Sequence, residues 1–524
     1  MLRRRFLVVA LIAALLAPAV PADAQRRPGE SAAQRRERET LRASAERFGA
    51  RVEKILAEEK VRKGHWAVLV VDAATGETLY ARNPQSYFTP ASNTKLFTTA
   101  FALASLGPEH TFTTWIGTYG RVDAHGRLLG DLFLRGSGDP NLSNRVLPYD
   151  RERELDGPPE KILAELADKV VAAGVRQIEG NILADDPFPR ERYPSGWAIE
   201  DMSFGYGAPV SGLVVNDNVL SIEVRPSDRV GEPAWFGVEP WAEFYEFTNE
   251  IITVDAAAES RVRAEREPGS RRVKLRGTIA LDRAPMRLTL AVEEPAEHAA
   301  TLLKRLLEAR GVRIYGRSLA RYEQQLPTEG LTVLAEHRSP PLVEAIRVVN
   351  KTSQNLHAEV LLRLAARARS PAATSTRAAL EAAQEFFRSI GIAERDVAIF
   401  DGSGLSRRNL ITPEATVKLL QYVAQQPWGE AFLSTLPVAG TDGTLQERMK
   451  GTPAEGRVQA KTGSLGNVNA LSGYATSLAG RRVIFSMFGN HHNLRGREAT
   501  DVLDALCVAL VEEIGAPPPR RRRG

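Results

Sequence analysis

The chain has 524 residues, 43% of them hydrophobic and 25% charged, a balance that buries a core and excludes disorder as a whole. Its formal net charge of +5 invites a nucleic-acid reading only until it is mapped: residues 1–24 hold three Arg and one Asp, residues 520–523 hold four Arg, and the rest carries 62 basic against 63 acidic side chains. One cysteine excludes an internal disulfide, and eight scattered histidines, with His491 and His492 adjacent, make no chelating pattern.

The chain opens as a secretory signal. Arg3-Arg4-Arg5 precedes an apolar run from Phe6 to Ala17, and Ala22-Asp23-Ala24 offers a small-residue cleavage site within residues 1–24. A membrane span needs about 20 apolar residues, so the run is too short. The expectation is export to the periplasm or cell-wall space as a soluble or peripherally associated protein, a retained anchor being the alternative. Residues 25–42, rich in Arg, Glu, Gln and Ser, predict a disordered leader before a helix near residues 44–59.

Next comes Pro90-Ala91-Ser92-Asn93-Thr94-Lys95, followed by the apolar stretch Leu96 to Ala104. The stretch predicts a buried helix beginning near Pro90-Ala91. The i, i+3 spacing places Ser92 and Lys95 on one helix face. A serine hydroxyl attacks a carbonyl only when a base takes its proton, and a lysine can do so if burial or a second cation disfavours its ammonium form. Lys461 is the candidate for that cation. At a helix start, free backbone N–H groups can also help hold an oxyanion.

Residues 113–325 predict inserted β-rich modules, one or two nested domains. Leu220–Val224, Val273–Ile279 and Arg287–Val292 alternate as half-buried strands, and Ala299–Leu307 has helical spacing that ends near Gly311. Gly136 to Leu142 reads as a structural turn. Asp185-Asp186-Pro187-Phe188 reads either as a solvated turn or as a loop reaching the substrate.

The third quarter brings Asn350-Lys351-Thr352-Ser353-Gln354-Asn355-Leu356-His357-Ala358-Glu359 and Asp401-Gly402-Ser403-Gly404-Leu405-Ser406. Gly440-Thr441-Asp442-Gly443-Thr444-Leu445, Ala460-Lys461-Thr462-Gly463-Ser464-Leu465 and Leu471-Ser472-Gly473-Tyr474 follow. Alone, Ser353-Gln354-Asn355 could merely open a helix and Lys461-Thr462-Gly463 could start a turn. S-x-x-K, S-x-N and K-T-G in this order form the motif set of penicillin-binding proteins and class A β-lactamases. Cys507 sits among apolar neighbours as a buried small residue. Pro517-Pro518-Pro519 and four arginines make a flexible basic tail, residues 517–524, able to touch anionic wall polymer or lipid.

Over residues 45–515 the chain resembles the class C low-molecular-mass penicillin-binding proteins, the D-alanyl-D-alanine carboxypeptidase and endopeptidase family. The resemblance is dense from Asn350 to Tyr474, and Gln354 departs from it where many relatives have a smaller or acidic residue. It implies an α/β (α+β) fold: a serine β-lactamase-like transpeptidase domain, an antiparallel sheet flanked by helices, built from residues 43–112 and 326–516 around the insertion. It implies a serine-type D-Ala-D-Ala carboxypeptidase with D,D-endopeptidase action on peptidoglycan stem peptides, inhibited by β-lactams and needing no cofactor. Ser92 would be the nucleophile, Lys95 its base, Ser353 a proton relay and Asn355 the residue orienting Lys95. Lys461 and Thr462 would face the substrate carboxylate, Gly463, having no side chain, would let the strand edge approach the substrate closely, and the backbone of Ser92 and Ser464 would form the oxyanion hole. An acidic residue and an aromatic among Asp185, Asp186 and Phe188 would receive the amino end of the diaminopimelate side chain. A serine β-lactamase and a non-catalytic peptidoglycan-binding protein are the alternatives; the long gap between Ser92 and Ser353 opposes the first, and the full set of polar residues the second.

Overall fold

The computed structural model describes residues 31–517, apart from 242, 244, 323–325 and 328. The signal expected at 1–24 and nearly all of the basic tail lie outside the described residues.

The body outside the insertion is built on five antiparallel strands. In spatial order they are Thr78–Arg82, His65–Asp72, Arg482–Asn490, Val468–Thr476 and Val458–Leu465. The central strands are apolar on both faces because both faces are covered. Val68, Val70, Phe485 and Met487 point one way, against the helices Ala32–Leu56 and Glu498–Glu513 through Phe48, Val52, Leu506 and Leu510. Cys507 lies in this layer, fully buried, its thiol pKa raised chiefly by that burial. Leu69, Val71 and Ile484 point the other way, into a core shared by Thr94–Leu106, Asn355–Arg369 and Pro413–Ala424. Among the described residues, no helix is long and apolar enough to cross a membrane.

Two expectations are corrected here. The leader expected to be disordered over 25–42 is helical from Ala32 onward: Ser31 and Gln34 form a reciprocal capping box, and Arg35–Glu39 and Arg42–Glu46 pair one turn apart. Its polar composition is that of a solvated helix face, whose opposite face buries Leu41 and Ala45. The insertion expected to end at 325 reaches further, because Thr332–Arg338 pairs antiparallel with Thr113–Thr118 at its outset.

The insertion has two tiers. A mixed sheet runs Ser318–Arg321, Ile182–Asp185, Leu132–Arg135, Thr113–Thr118 and Thr332–Arg338. It packs against the helices Lys161–Ala172 and Pro295–Glu308 through Leu134, Ile182, Leu166 and Leu303. Nested within it, two three-stranded sheets enclose Ile222, Val224, Ile251 and Leu275. The alternating runs read from sequence are here the strands Val219–Arg225, Arg272–Ala280 and Met286–Ala291.

Candidate active site

Ser92 lies in a 3-10 turn, Ala91–Asn93, leading into the helix Thr94–Leu106. The turn is tight enough to hold Ala91 at φ +47°. A Cβ on Gly404, itself at φ +85°, would come within 1.9 Å of the Ala91 carbonyl oxygen, so only glycine lets the 401–406 loop lie against the nucleophile turn. From the other side, Asn93 Nδ2 donates to the Lys461 carbonyl at 3.0 Å. A Cβ on Gly463 would stand 2.6 Å from the Pro90 oxygen, so the K-T-G strand passes the turn at backbone distance.

Lys95 is fully buried one turn after Ser92. Its Nζ donates to Ser92 Oγ at 2.9 Å, to Asn355 Oδ1 at 2.6 Å and to the Ser403 carbonyl at 2.6 Å. An ammonium has three donors and satisfies all three acceptors. A neutral amine keeps the two shorter bonds and turns its lone pair toward Ser92. Burial lowers the Lys95 pKa to about 7, against the opposing pull of the Asp401 and Glu359 carboxylates. Near neutral pH both forms are therefore populated.

Both carboxylates brace the loop that supplies the Ser403 carbonyl. Glu359 Oε1 accepts from the backbone N–H of Gly402 and of Ser403, each at 2.8 Å. Asp401 accepts from the N–H groups of Gly404 and Ser406, from Asn409 Nδ2 and from Trp197 Nε1. Burial first, and Asp401 second, raise the Glu359 pKa to about 7.

Lys461 Nζ donates to Ser353 Oγ at 2.9 Å and to the Thr462 carbonyl at 3.0 Å. Burial, then the charge on Lys95, push its pKa well below the usual lysine range. Thr462 Oγ1 donates to Thr444 Oγ1 at 2.8 Å, and Asn469 Nδ2 donates to Ser464 Oγ at 3.1 Å. The structure thus sets two hydrogen-bonded groups beside each other, Lys95 with Ser92 and Asn355, and Lys461 with Ser353. A cleft of about 350 Å³ runs over them, lined by Ser92, Ser353, Asn355 and Ser464 and walled by Asp201, Tyr206, Leu405 and Arg407.

Asp185, Asp186 and Phe188 do not reach this cleft. Asp185 is buried in register between Arg135 and Arg321 on the neighbouring strands. Asp186 turns inward to Ser211 Oγ at 2.6 Å and to the N–H groups of Gly212 and Phe188, and burial raises its pKa to about 6. Phe188 packs on Leu356 and Val360 beneath the helix that carries Asn355. The Asp-Pro turn that looks solvated in sequence is an internal joint, since the counter-charges and the apolar partners come from distant parts of the chain.

An acidic residue and an aromatic from the insertion do stand at the cleft, and they are Asp201 and Tyr206. Tyr206 Oη donates to Asp201 Oδ1 at 2.8 Å, and its ring stacks on Phe204 with centroids 5.4 Å apart. The Tyr206 carbonyl accepts from Asn355 Nδ2 at 2.8 Å, tying the insertion to the S-x-N string. Sequence reasoning passed over Asp201, Tyr206, Glu359 and Arg407. The aromatic-rich segment Trp197 to Tyr206 and the Asp401–Ser406 string were the available signals.

A serine hydrogen-bonded to a buried lysine at a helix start stands between the edge of an antiparallel sheet and a helical layer. The fold of a penicillin-binding protein 4 (DacB) from Haemophilus influenzae matches with a TM-score of 0.75 at 24% identity, covering 88% of this chain and 98% of that one. A D-alanyl-D-alanine carboxypeptidase from Actinomadura sp. (strain R39) is 34% identical over 484 residues, 90% of this chain and 86% of the relative. The D-alanyl-D-alanine carboxypeptidase DacB of Haemophilus influenzae is 28% identical over 423 residues, 78% and 82% of the two chains. The D-Ala-D-Ala carboxypeptidase 3 (S13) family matches residues 48–510. The chain belongs to that family of peptidases.

Proposed function

We propose that this protein removes the terminal D-Ala from peptidoglycan stem peptides through an ester on Ser92, and that it also cleaves peptide cross-links. The observation that carries this reading is the buried Lys95 amine, 2.9 Å from Ser92 Oγ and with a pKa lowered to about 7. Neutral Lys95 takes the hydroxyl proton as Ser92 Oγ bonds to the carbonyl carbon of the penultimate D-Ala. The developing oxyanion is held by the backbone N–H groups of Ser92 and Ser464. Ser353 Oγ, hydrogen-bonded to Lys461 Nζ, relays the proton taken up by Lys95 to the leaving amine as the C–N bond breaks, which leaves Lys95 neutral again. Neutral Lys95 then takes a proton from the water that adds to the acyl carbon and returns it to Ser92 Oγ as the ester bond breaks.

Lys461 and Thr462 meet the terminal carboxylate, whose charge reverses the loss of basicity that burial and Lys95 impose on Lys461 in the free protein. Asp201 and Arg407, opposite in charge and lining one cleft, suit a side chain ending in both an ammonium and a carboxylate, as diaminopimelate does. A cross-linked peptide offers the same acyl group with a larger amine as leaving group, which supports the endopeptidase reading. A β-lactam presents a strained amide to the same serine and forms a slow ester. The signal over residues 1–24 supports export to the compartment where these peptides occur.

Incubation with a fluorescent penicillin followed by peptide mass mapping tests the central step. Label on Ser92, abolished by Ser92→Ala, is expected. Label on another residue would remove Ser92 from its role. Mass spectrometry of digested muropeptides reads the two hydrolytic activities, and rapid nitrocefin turnover would favour a β-lactamase instead.

A further inference from the structure

Two backbone segments near the site are held in the left-handed region without glycine, and they face each other. One is Ser353, at φ +62°. The other is Asn216-Asp217-Asn218 in the insertion, at φ +50°, +53° and +54°. Three consecutive non-glycine residues in that region are costly and persist only where the surroundings dictate them. Here side chains do so: Asn216 Nδ2 donates to the Val219 carbonyl, Asn218 Nδ2 to the Pro209 carbonyl, and Asn218 Oδ1 accepts from the Val215 N–H. The outcome is that Asp217 is thrust toward the S-x-N string.

There its carboxylate joins three groups. Oδ2 accepts from Gln354 Nε2 and from Arg145 Nη2, both at 2.8 Å, and Oδ1 lies 2.8 Å from His357 Nε2. His357 is wholly buried and its Nδ1 has no partner among the described residues, so Nε2 carries the proton and donates. Burial would raise the Asp217 pKa, but Arg145 and His357 hold the carboxyl well below the usual range. Gln354 is thereby fixed at both ends, since its Oε1 accepts from the Leu356 N–H at 3.0 Å and caps the helix Asn355–Arg369. The residue that departs from the family pattern has found a partner outside the catalytic body.

We infer that Asp217 is a positioning residue of the reaction: through Gln354 it holds Ser353 in its strained backbone conformer, with Oγ on Lys461 and Asn355 on Lys95. Asp217 touches neither substrate nor nucleophile. Its effect falls on the rate of the covalent step and not on how tightly a ligand first binds. The inference rests on the acyl-enzyme reading above, and the experiment separates the two.

The test is time-resolved acylation of the full chain by a fluorescent penicillin, which resolves the initial binding constant from the acylation rate constant. Asp217→Asn and Gln354→Glu should each slow acylation by about tenfold to a hundredfold, the range a misplaced catalytic group produces, with initial binding changed less than about threefold. The first loses the charge on the acceptor, and the second sets two carboxylates against each other. Combining them sets an amide donor opposite a carboxylate while Arg145 still faces the same position, so the rate constant should recover part of the loss and rise above that of the slower single variant. Gln354→Ala, which leaves Arg145 and His357 paired with Asp217, should also slow acylation and serves if Asp217→Asn fails to fold. Parental acylation rates in the single variants would overturn the inference, as would a double variant no faster than the slower single. A parent protein that never labels at Ser92 would overturn the acyl-enzyme reading itself.

Discussion

A lysine amine is a base only while it has a lone pair to offer, and Lys95 has one near neutral pH because burial lowers its pKa to about 7. Acylation should therefore rise with pH on an acid limb centred near the Lys95 pKa, since below it the ammonium predominates. Lys95→Arg keeps the charge in a group that does not deprotonate; penicillin labelling should fall by at least about a hundredfold, with circular dichroism unchanged. Normal labelling in a folded variant would show that another group is the base. Glu359→Gln probes the same balance from a distance. A glutamine oxygen still accepts from the N–H groups of Gly402 and Ser403, but one of the two carboxylate charges that raise the Lys95 pKa is gone, Asp401 remaining as the larger. The acid limb should move to lower pH by about one pH unit, and a profile that stays in place would deny Glu359 any electrostatic part. The lysine–serine pair was legible because the i, i+3 spacing alone makes it face itself. Glu359 was not, because its importance lies in two backbone N–H groups some forty positions further on.

At the scale of elements, the N-terminal helix shows how composition misleads. Its polar majority reads as a leader, yet every residue from Leu41 to Leu56 that faces inward joins the core between sheet and C-terminal helix. Phe48 is wholly buried against Tyr80, so Phe48→Ala should cost about 3–5 kcal/mol of stability in denaturant unfolding. A loss under about 1 kcal/mol would mean the helix is dispensable packing. The strands of the insertion were legible from their alternation, because one face of each is solvated. The joint Asp185-Asp186-Pro187-Phe188 was not: which way a carboxylate turns is decided by Arg135 and Arg321, which sheet pairing alone brings beside it.

For the whole molecule, the insertion is a structural partner of the site and not an appendage. Trp197 holds Asp401, the Tyr206 carbonyl holds Asn355, and Asp217 holds Gln354. Excising residues 113–338 with a short linker should leave a protein that retains helical circular dichroism but acylates with penicillin at least about tenfold more slowly, in addition to losing peptide selectivity. Parental acylation by the excised form would confine the insertion to substrate recognition. Sequence spacing revealed that the insertion exists, but not that it grips both the 401–406 loop and the Ser353-Gln354-Asn355 string, since each grip is a single side-chain or carbonyl contact across more than a hundred residues.

The buried thiol of Cys507 makes the protein its own clock. It is the only cysteine in the chain and sits where the first and last helices close over the sheet, its Sγ 4.0 Å from Met487 Sδ. A thiol reagent can reach it only when that layer parts, so the labelling rate under native conditions counts openings. If the closing helices come away only with the sheet, labelling should slow in step with global stability across a denaturant series. A rate indifferent to low denaturant would reveal that the C-terminal helix peels off alone, leaving the site assembled behind it. The same geometry shields the sulfur from oxidants in the folded state, so air oxidation of a working sample should proceed no faster than those openings allow.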